Sequence, residues 1–383
     1  MSDFPSAMLE SLLNRPLRRV LSDVDRRAFA HRRVLVTGAG GSIGSELARQ
    51  IAACGAAEIV LVDQSEYNLF RIERELADRF PLVSLEPLLG DVTRGGMLQR
   101  ACRASRPHVV YHAAAYKHVT MTERAVCAAT QVNVLGSALA VAAAKDVGAR
   151  FVLISSDKAA SPTSVMGVTK RIAELVVSRE ASSRFRPIVV RFGNVLGSSG
   201  SVLPLLVERI RSGRPIEITD PDATRYFMTA AEAVALVMKA DLVGPPGEIY
   251  WLDMGDPIRI GDLAERVLDF EERAGYPRVP VRIIGLRPGE KLHEQLDDQT
   301  SGMVRTNFAR LWASRGDAVH ARVIGDVVRR LRRRIVAGDP IGALQDFGQV
   351  VPEFRASRDA WAAANAQAAG EYEIDLPSEA CSA

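Results

Sequence analysis

Residues 33–44 read RVLVTGAGGSIG, and how this stretch is parsed decides the fold. The apolar run RVLVT enters a turn that places Gly38, Gly41 and Gly44 at its corner, with Ser42 and Ile43 between the last two. SELARQIAACG then reads as a helix ending at Gly55. Glycine suits such a turn for three reasons: the chain bends tightly, the backbone approaches a pyrophosphate closely, and the helix packs hard on its strand. The phosphates would sit on the free N–H groups of the helix N-terminus. A glycine fingerprint alone also fits an ordinary tight turn, so the surroundings must decide.

Outward from the turn the pattern repeats. AEIVLVDQS reads as a second strand and EYNLFRIERELADRF as a helix with apolar residues at helical spacing. LVSLEPLLGD, HVVYHAAA and RFVLISSD continue as strands between helical stretches, and PIVVRFGNV and EIYWLDMG add two more. Strands alternating with helices predict an α/β protein, a Rossmann-type doubly wound parallel sheet covered on both faces. After Asn194 the texture changes to GSSGSVLP and then to proline-rich segments. The expected organisation is a helical lead-in over 1–30 and a dinucleotide-binding domain over 31–195. A smaller C-terminal substrate lobe follows over 196–315, returning one strand to the sheet near 248–254. A helical extension over 316–383 ends in a disordered tail, DLPSEACSA. Its basic run Arg329–Arg334 reads as a solvated helix face, with an anionic-surface patch as the alternative.

The 383 residues carry 49 basic and 46 acidic side chains, a net charge of +3, and 47% are apolar. That balance gives no case for nucleic acid as a partner. Cys54, Cys102, Cys127 and Cys381 are scattered without metal-ligand spacing, so they read as reduced thiols with no metal site. No apolar run approaches the eighteen or more residues of a membrane span, and no signal-peptide core opens the chain. A soluble, cytoplasmic chain is expected.

Asp63 ends the second strand nineteen residues after Gly44, where a carboxylate accepts hydrogen bonds from the adenine ribose hydroxyls. Gln64, Ser65 and Asn68 follow it. The third strand ends at Asp91 and Val92, suited to an adenine contact, and the fourth at Ala113, Ala114 and Ala115, small enough for the backbone to approach a flat ring. Asn133 and Ser155 are assigned to the same site. Asp63 would repel a 2′-phosphate, so NAD is favoured over NADP, although Arg71 lies nearby.

The fifth strand delivers Ser156, Asp157 and Lys158 to the same edge of the sheet. Further on, Met166 and Lys170 stand where many nicotinamide enzymes carry a YxxxK pair, with a thioether in place of the phenol. Asp157 and Lys158 together offer an acid and a base in one small volume. That suggests a second chemical event beyond hydride transfer, such as loss of water from a sugar ketone.

TGAGGSIGSELARQI, HAAAYKHVTMTE, SSDKAASPTSVMGVTKR, VRFGNVLGSSGSVLPL, ATRYFMT and GLRPGEKLHEQL together resemble the polysaccharide-biosynthesis branch of the nucleotide-sugar 4,6-dehydratases, in the extended short-chain dehydrogenase/reductase superfamily. The similarity runs from about Leu12 to about Leu296. It implies UDP-N-acetylglucosamine as substrate and a 4-keto-6-deoxy product destined for a bacterial surface glycan. The family's Thr-Asp-Lys becomes Ser156-Asp157-Lys158. The resemblance implies that Asp157 protonates the departing C6 hydroxyl, that Lys158 abstracts the C5 proton, and that Lys170 bonds the nicotinamide ribose. As a base Lys158 must be neutral, so its pKa must fall by roughly 2–3 from about 10.4. Members with tyrosine at position 166 invert C5 and members with methionine retain it, so Met166 implies retention.

The 4-hydroxyl proton would then leave through Asp157, directly or through a water held by Ser156. Lys117, Asn194, Ser201, Arg225, Arg287 and Glu290 are the candidate substrate contacts, the two arginines for the diphosphate. His118 reads as structural. A homo-oligomer is expected through helices within 122–147 and 165–182, as superfamily relatives pair. Long relatives carry membrane helices before this region, so the chain is either a short form or the soluble part of a membrane-anchored protein. The rival readings are a nucleotide-sugar 4-epimerase and a non-catalytic NAD-binding scaffold.

Overall fold

The computed structural model describes residues 4–244, 247–295, 303–308, 310–315 and 318–368; the expected disordered tail lies outside them. Strands β1 (Arg33–Thr37), β2 (Glu58–Asp63), β3 (Ser84–Leu89), β4 (Val109–His112), β5 (Arg150–Ile154) and β6 (Ile188–Arg191) form where the alternating pattern predicts them. Further strands follow: β7 (Asn194–Leu196), β8 (Ile216–Ile218), β9 (Thr224–Arg225), β10 (Phe227–Thr229), β11 (Glu248–Leu252), β12 (Ile258–Arg259), β13 (Val281–Ile283), β14 (Val304–Arg305) and β15 (Leu311–Arg315).

Nine of these build one sheet in the order β14-β15-β11-β6-β5-β4-β1-β2-β3. From β3 to β11 every pair is parallel, and β15 closes the far side antiparallel to β11. Central strands such as β4 and β6 are buried at every position because helices cover both faces. β3 is an edge, largely exposed, and Glu86 and Pro87 blunt it against pairing with another chain. The chain winds outward from β1 in both directions, so β1 and β4 flank the crevice where such sheets take ligands.

Capping fixes where the flanking helices start. Ser65 Oγ accepts from Asn68 N at the helix Glu66–Arg79, and Ser164 Oγ accepts from Gly167 N at the helix Val165–Arg179. Each such cap is worth about 1 kcal/mol.

The lobe boundary differs from the expectation. Within 196–315, β14 and β15 join the main sheet as well as β11, and the helix Ala230–Val243 packs against the helix Ser42–Ala53 in the main layer. The first helix of the lead-in in turn belongs to the lobe, while Leu21 and Phe29 join the core under the main sheet. Met8, Leu9, Leu12 and Leu13 of the helix Ser6–Leu13 are buried with Leu203, Leu206, Leu263 and Val267 in a separate core. Hydrophobic contacts across segments distant in sequence set these memberships, and local periodicity does not report them.

The helix Val126–Asp146 is 21 residues long and apolar enough to cross a membrane by length and composition, contrary to the sequence reading. It lies inside the fold, with 67% of its most apolar window buried. The helices expected to meet a second copy are covered by the chain's own C-terminal extension. Ile324, Val327 and Leu331 of the helix Ala318–Val336 and Phe347 of the helix Pro340–Val350 are buried in one cluster with Val126, Val134, Val168 and Ile172. An oligomer through that face would have to displace them. In the basic run, Arg330 pairs with Asp346 at 2.9 Å and Arg334 with Asp339 at 2.7 Å, which stitches the two helices together.

Candidate active site

Register brings the site together. Thr37 lies opposite both Val62 and His112, Asp63 opposite Leu89, and Ile154 opposite Val190, so the residues after each strand line one edge. At Gly38, with φ +64°, a Cβ would lie 2.8 Å from the Ala114 backbone, and at Gly44 a Cβ would lie 2.0 Å from the Gly38 carbonyl oxygen. Only glycine permits both approaches. Gly41 is the N-cap of the helix Ser42–Ala53, leaving the first N–H groups of that helix for an anion. Asp63 is held by two backbone donors, Gly40 N–H to Oδ2 at 2.8 Å and Ser65 N–H to Oδ1 at 2.9 Å. Gly40 was not singled out in the sequence, yet a Cβ there would meet the Asn68 Cβ at 2.4 Å. Asp91 accepts from Thr93 N at 2.8 Å, Val92 is buried beside it, and Gln64 is exposed beyond β2. This cradle fits a dinucleotide: a backbone-lined phosphate turn with a carboxylate one strand away.

Two assigned cofactor contacts are spent elsewhere. Asn133, in a π-helical turn, accepts from Tyr116 N at 2.8 Å and donates to Tyr116 O and Thr169 Oγ1. Its amide therefore ties the loop after β4 to the helix Val165–Arg179. Ser155 Oγ donates to Glu174 Oε1 at 2.6 Å. Glu174 in turn takes a two-pronged bond from Arg191, at 2.7 and 2.5 Å, with both side chains fully buried and the guanidinium over the Trp251 ring. Sequence spacing gave no sign of this buried pair. Lys170 Nζ donates to Ile154 O at 2.8 Å, and burial pushes its pKa down to about 8 against the upward pull of Glu174. Met166 is buried one turn earlier on the same helix.

The reacting cluster is compact. Asp157 is 1% exposed; its Oδ1 accepts from Ser156 Oγ and from Lys158 Nζ, each at 3.0 Å. Its Oδ2 is buried with no hydrogen-bond partner among the described residues. A Cβ at residue 193 would stand 3.0 Å from that oxygen, so Gly193 keeps the space beside it open. Lys158 Nζ also donates to Asn194 Oδ1 at 3.2 Å and lies 3.5 Å from Glu294 Oε1. Burial pushes the Lys158 ammonium down, but the Asp157 and Glu294 carboxylates outweigh it, so the net shift is upward. This corrects the expected fall: before ligands bind, Lys158 is a cation between carboxylates. The sequence reading had Asp157 in view and missed Glu294, whose HEQL context resembles an ordinary helix face.

Among the expected substrate contacts, Lys117 donates to Ser198 Oγ at 3.3 Å, and Ser201 Oγ is buried without a partner among the described residues. The loop between them reaches the phosphate turn, where Ser199 N–H donates to Ser42 Oγ at 3.0 Å. His118 packs against Gly200, in line with a structural role. Arg225 departs from its assignment to a diphosphate. Its guanidinium donates to Thr224 O, Leu292 O and Lys291 O, and it is 8% exposed, so it pins the segment that carries Glu294. Arg287 and Glu290 form one turn, with Arg287 N–H donating to Glu290 Oε2 at 3.2 Å and Glu290 N–H to Arg287 O at 3.0 Å. The Arg287 side chain is exposed there. No group of three or more His, Cys, Asp and Glu among the described residues is placed to hold a metal.

The sequence from residue 34 to 315 matches the family described as polysaccharide biosynthesis protein. The chain belongs to that family. A capsular polysaccharide biosynthesis protein, CapD of Staphylococcus aureus, is 40% identical over 292 residues, which are 75% of this chain and 49% of CapD. The chain thus spans about half the length of that relative. A UDP-glucose 4-epimerase of Rickettsia canadensis is 30% identical over 70% of this chain and 78% of its own length. Among solved structures, Pen from Bacillus thuringiensis has a TM-score of 0.70 at 29% identity, covering 75% of this chain and 90% of Pen. DesIV of Streptomyces venezuelae, a dTDP-glucose 4,6-dehydratase solved with NAD, has a TM-score of 0.61 at 23% identity, over 79% of this chain and 97% of DesIV. That last likeness is one of fold. Polysaccharide-biosynthesis family membership and the Rossmann-type sheet agree with a nucleotide-sugar enzyme of the dehydratase and epimerase class.

Proposed function

We propose that this chain binds NAD and converts UDP-N-acetylglucosamine to its 4-keto-6-deoxy derivative by 4,6-dehydration with retention at C5, for a bacterial surface glycan. The observation that carries the reading is the buried Asp157 Oδ2 beside Lys158, without a hydrogen-bond partner among the described residues and two strands away from the glycine cradle. An unpaired buried carboxylate oxygen is costly unless a ligand completes it. Gly38, Gly41, Gly44 and Asp63 would hold the dinucleotide, which supplies a hydride acceptor for C4 and a donor for C6.

The chain's own groups handle the protons. Asp157 Oδ2 accepts the 4-hydroxyl proton, directly or through a water held by Ser156, and later gives a proton to the departing C6 hydroxyl. Lys158, once neutral, takes the C5 proton, which the C4 ketone has made acidic, and its ammonium returns a solvent-exchanged proton to C5 once C6 has accepted the hydride. Lys170 stands at the nicotinamide ribose. Met166, buried and aprotic, has no proton to move, which fits a relay through Asp157 and retention at C5.

The 30% identity to a UDP-glucose 4-epimerase favours a second reading: oxidation and re-reduction at C4 with no elimination. A proton NMR time course with UDP-N-acetylglucosamine in deuterated water separates the two. A new C6 methyl signal with deuterium at C5 is the expected result, and ring couplings report retention. A mixture of gluco and galacto sugars without a methyl would make the chain an epimerase. An unchanged spectrum with NAD bound would leave a different nucleotide sugar or a scaffold.

A further inference from the structure

Glu294 is 7% exposed and sits on a segment far from β5 in sequence, yet its Oε1 is 3.5 Å from Lys158 Nζ and 3.8 Å from Arg225 Nε. Its Oε2 is buried with no hydrogen-bond partner among the described residues. The carboxylate is held in place by its neighbours. Arg225 donates to Lys291 O at 2.7 Å and to Leu292 O at 3.0 Å, Lys291 Nζ donates to Ser161 O at 2.7 Å, and His293 Nδ1 lies 3.0 Å from Thr224 Oγ1. An ammonium has three donors and no acceptor, and Lys158 Nζ has three oxygen partners: Asp157, Asn194 and Glu294. Asp157 comes from the turn after β5, and Asn194 opens β7, which pairs with β10. Glu294 alone comes from the lobe segment that follows the Arg287–Glu290 turn.

We propose that Glu294 is a positioning residue for Lys158: its carboxylate completes the ammonium's surroundings and holds it protonated, and separation of the two frees the Lys158 lone pair. The proton released from Nζ goes to solvent, with the N–H electron pair staying on nitrogen. The charged groups facing Nζ are Asp157 from the turn after β5, Glu294, and Arg225 from β9. Burial and Arg225 oppose the two carboxylates, so removing one of them weakens the hold on the cation. The role of Lys158 as a base rests on the proposed function; its proton state does not.

The test uses the full chain without ligand. Lys158, about one-fifth exposed at its side chain, is labelled with acetic anhydride across a pH series, and the fraction modified is read by mass spectrometry against exposed lysines of the same sample. Glu294→Gln is expected to lower the pH of half-labelling at Lys158 by about 1 or more, the size expected for loss of one close opposite charge. Glu294→Asp, which keeps the charge but draws it back, is expected between the two. An unchanged or raised midpoint in Glu294→Gln, with the melting temperature preserved, overturns the proposal. If Glu294→Gln does not fold, Glu294→Asp decides, and a midpoint equal to wild type then overturns it. Because no turnover is read, a moved midpoint in a chain that makes no 4-keto-6-deoxy sugar would retain this inference and reject the dehydratase reading.

Discussion

Asp63 and Asp157 both lie at the carboxyl ends of parallel strands, but the fold treats them in opposite ways. Both oxygens of Asp63 are taken by backbone N–H groups, so its direction is set before any ligand arrives. Asp157 has one oxygen paired and the other buried with no donor among the described residues, and Glu294 across Lys158 repeats the arrangement. Under the proposed function the cofactor edge is therefore finished by the chain itself, whereas the reacting edge is finished by substrate. Orientation is the task at the first edge and proton transfer at the second, and an oxygen committed to a backbone amide is a poor proton carrier.

The sharpest way to break this contrast is Asp157→Asn. Under the proposed function, turnover should fall by about 10³-fold or more, since loss of a general acid/base group costs about 10²–10⁴ and this residue serves two proton transfers. If reduced cofactor still accumulates at the normal rate, Asp157 does not serve the oxidation.

Next in size is Arg191→Met, which tests whether the buried pair behind Ser155 is scaffold. It leaves Glu174 as a buried charge without its main partner, and breaking such a pair costs about 3–5 kcal/mol. Chemical denaturation should show a loss of that order. Wild-type stability in the variant would mean that Arg171, 3.4 Å from Glu174, takes over the charge.

Asp63→Asn should act on affinity alone. An amide still accepts one backbone bond but meets the other donor with an N–H, and it offers the ribose hydroxyls a weaker acceptor. Loss of about 1.4 kcal/mol raises the Kd of NAD about tenfold, measurable by titration calorimetry, with kcat unchanged. A fall in kcat at saturating NAD would erase the proposed division between the two edges.

The same division explains what the sequence discloses. Gly38, Asp63 and Asp157 are legible because each lies at or just beyond the end of an apolar strand, and strand ends of a parallel sheet share one edge whatever the loops do. The fates of Arg225 and Asn133 are not legible, since residue type says what a side chain can bond and not which acceptor reaches it first. Arg225 meets the carbonyls of Lys291 and Leu292 through a contact spanning more than sixty residues. Glu294 escaped notice for the same reason. The C-terminal helices look like an appendage in the sequence, and only their burial against the helix Val165–Arg179 shows them to be part of the core.

The smallest effect is a pH slope, and its sign is fixed by Lys170. Burial holds its pKa near 8 in the folded chain, from an ordinary 10.5. Below pH 8 both the folded and unfolded chains carry the proton, and the folded state bears the full cost of an enclosed ammonium. Between about pH 8 and 10.5 the unfolded chain binds more protons, so this group makes stability rise with pH, by at most about 1.4 kcal/mol per unit. Lys170→Met removes that contribution while leaving every other titrating group in place. The stability of the variant relative to wild type, measured by urea unfolding from pH 7 to 10, should therefore be greatest at or below pH 8 and decline above it. Parallel curves would mean that Lys170 keeps its proton across the range, with the Ile154 carbonyl and Glu174 together compensating its burial. The cofactor edge would then contain, like the reacting edge, a cation held in place by its acceptors.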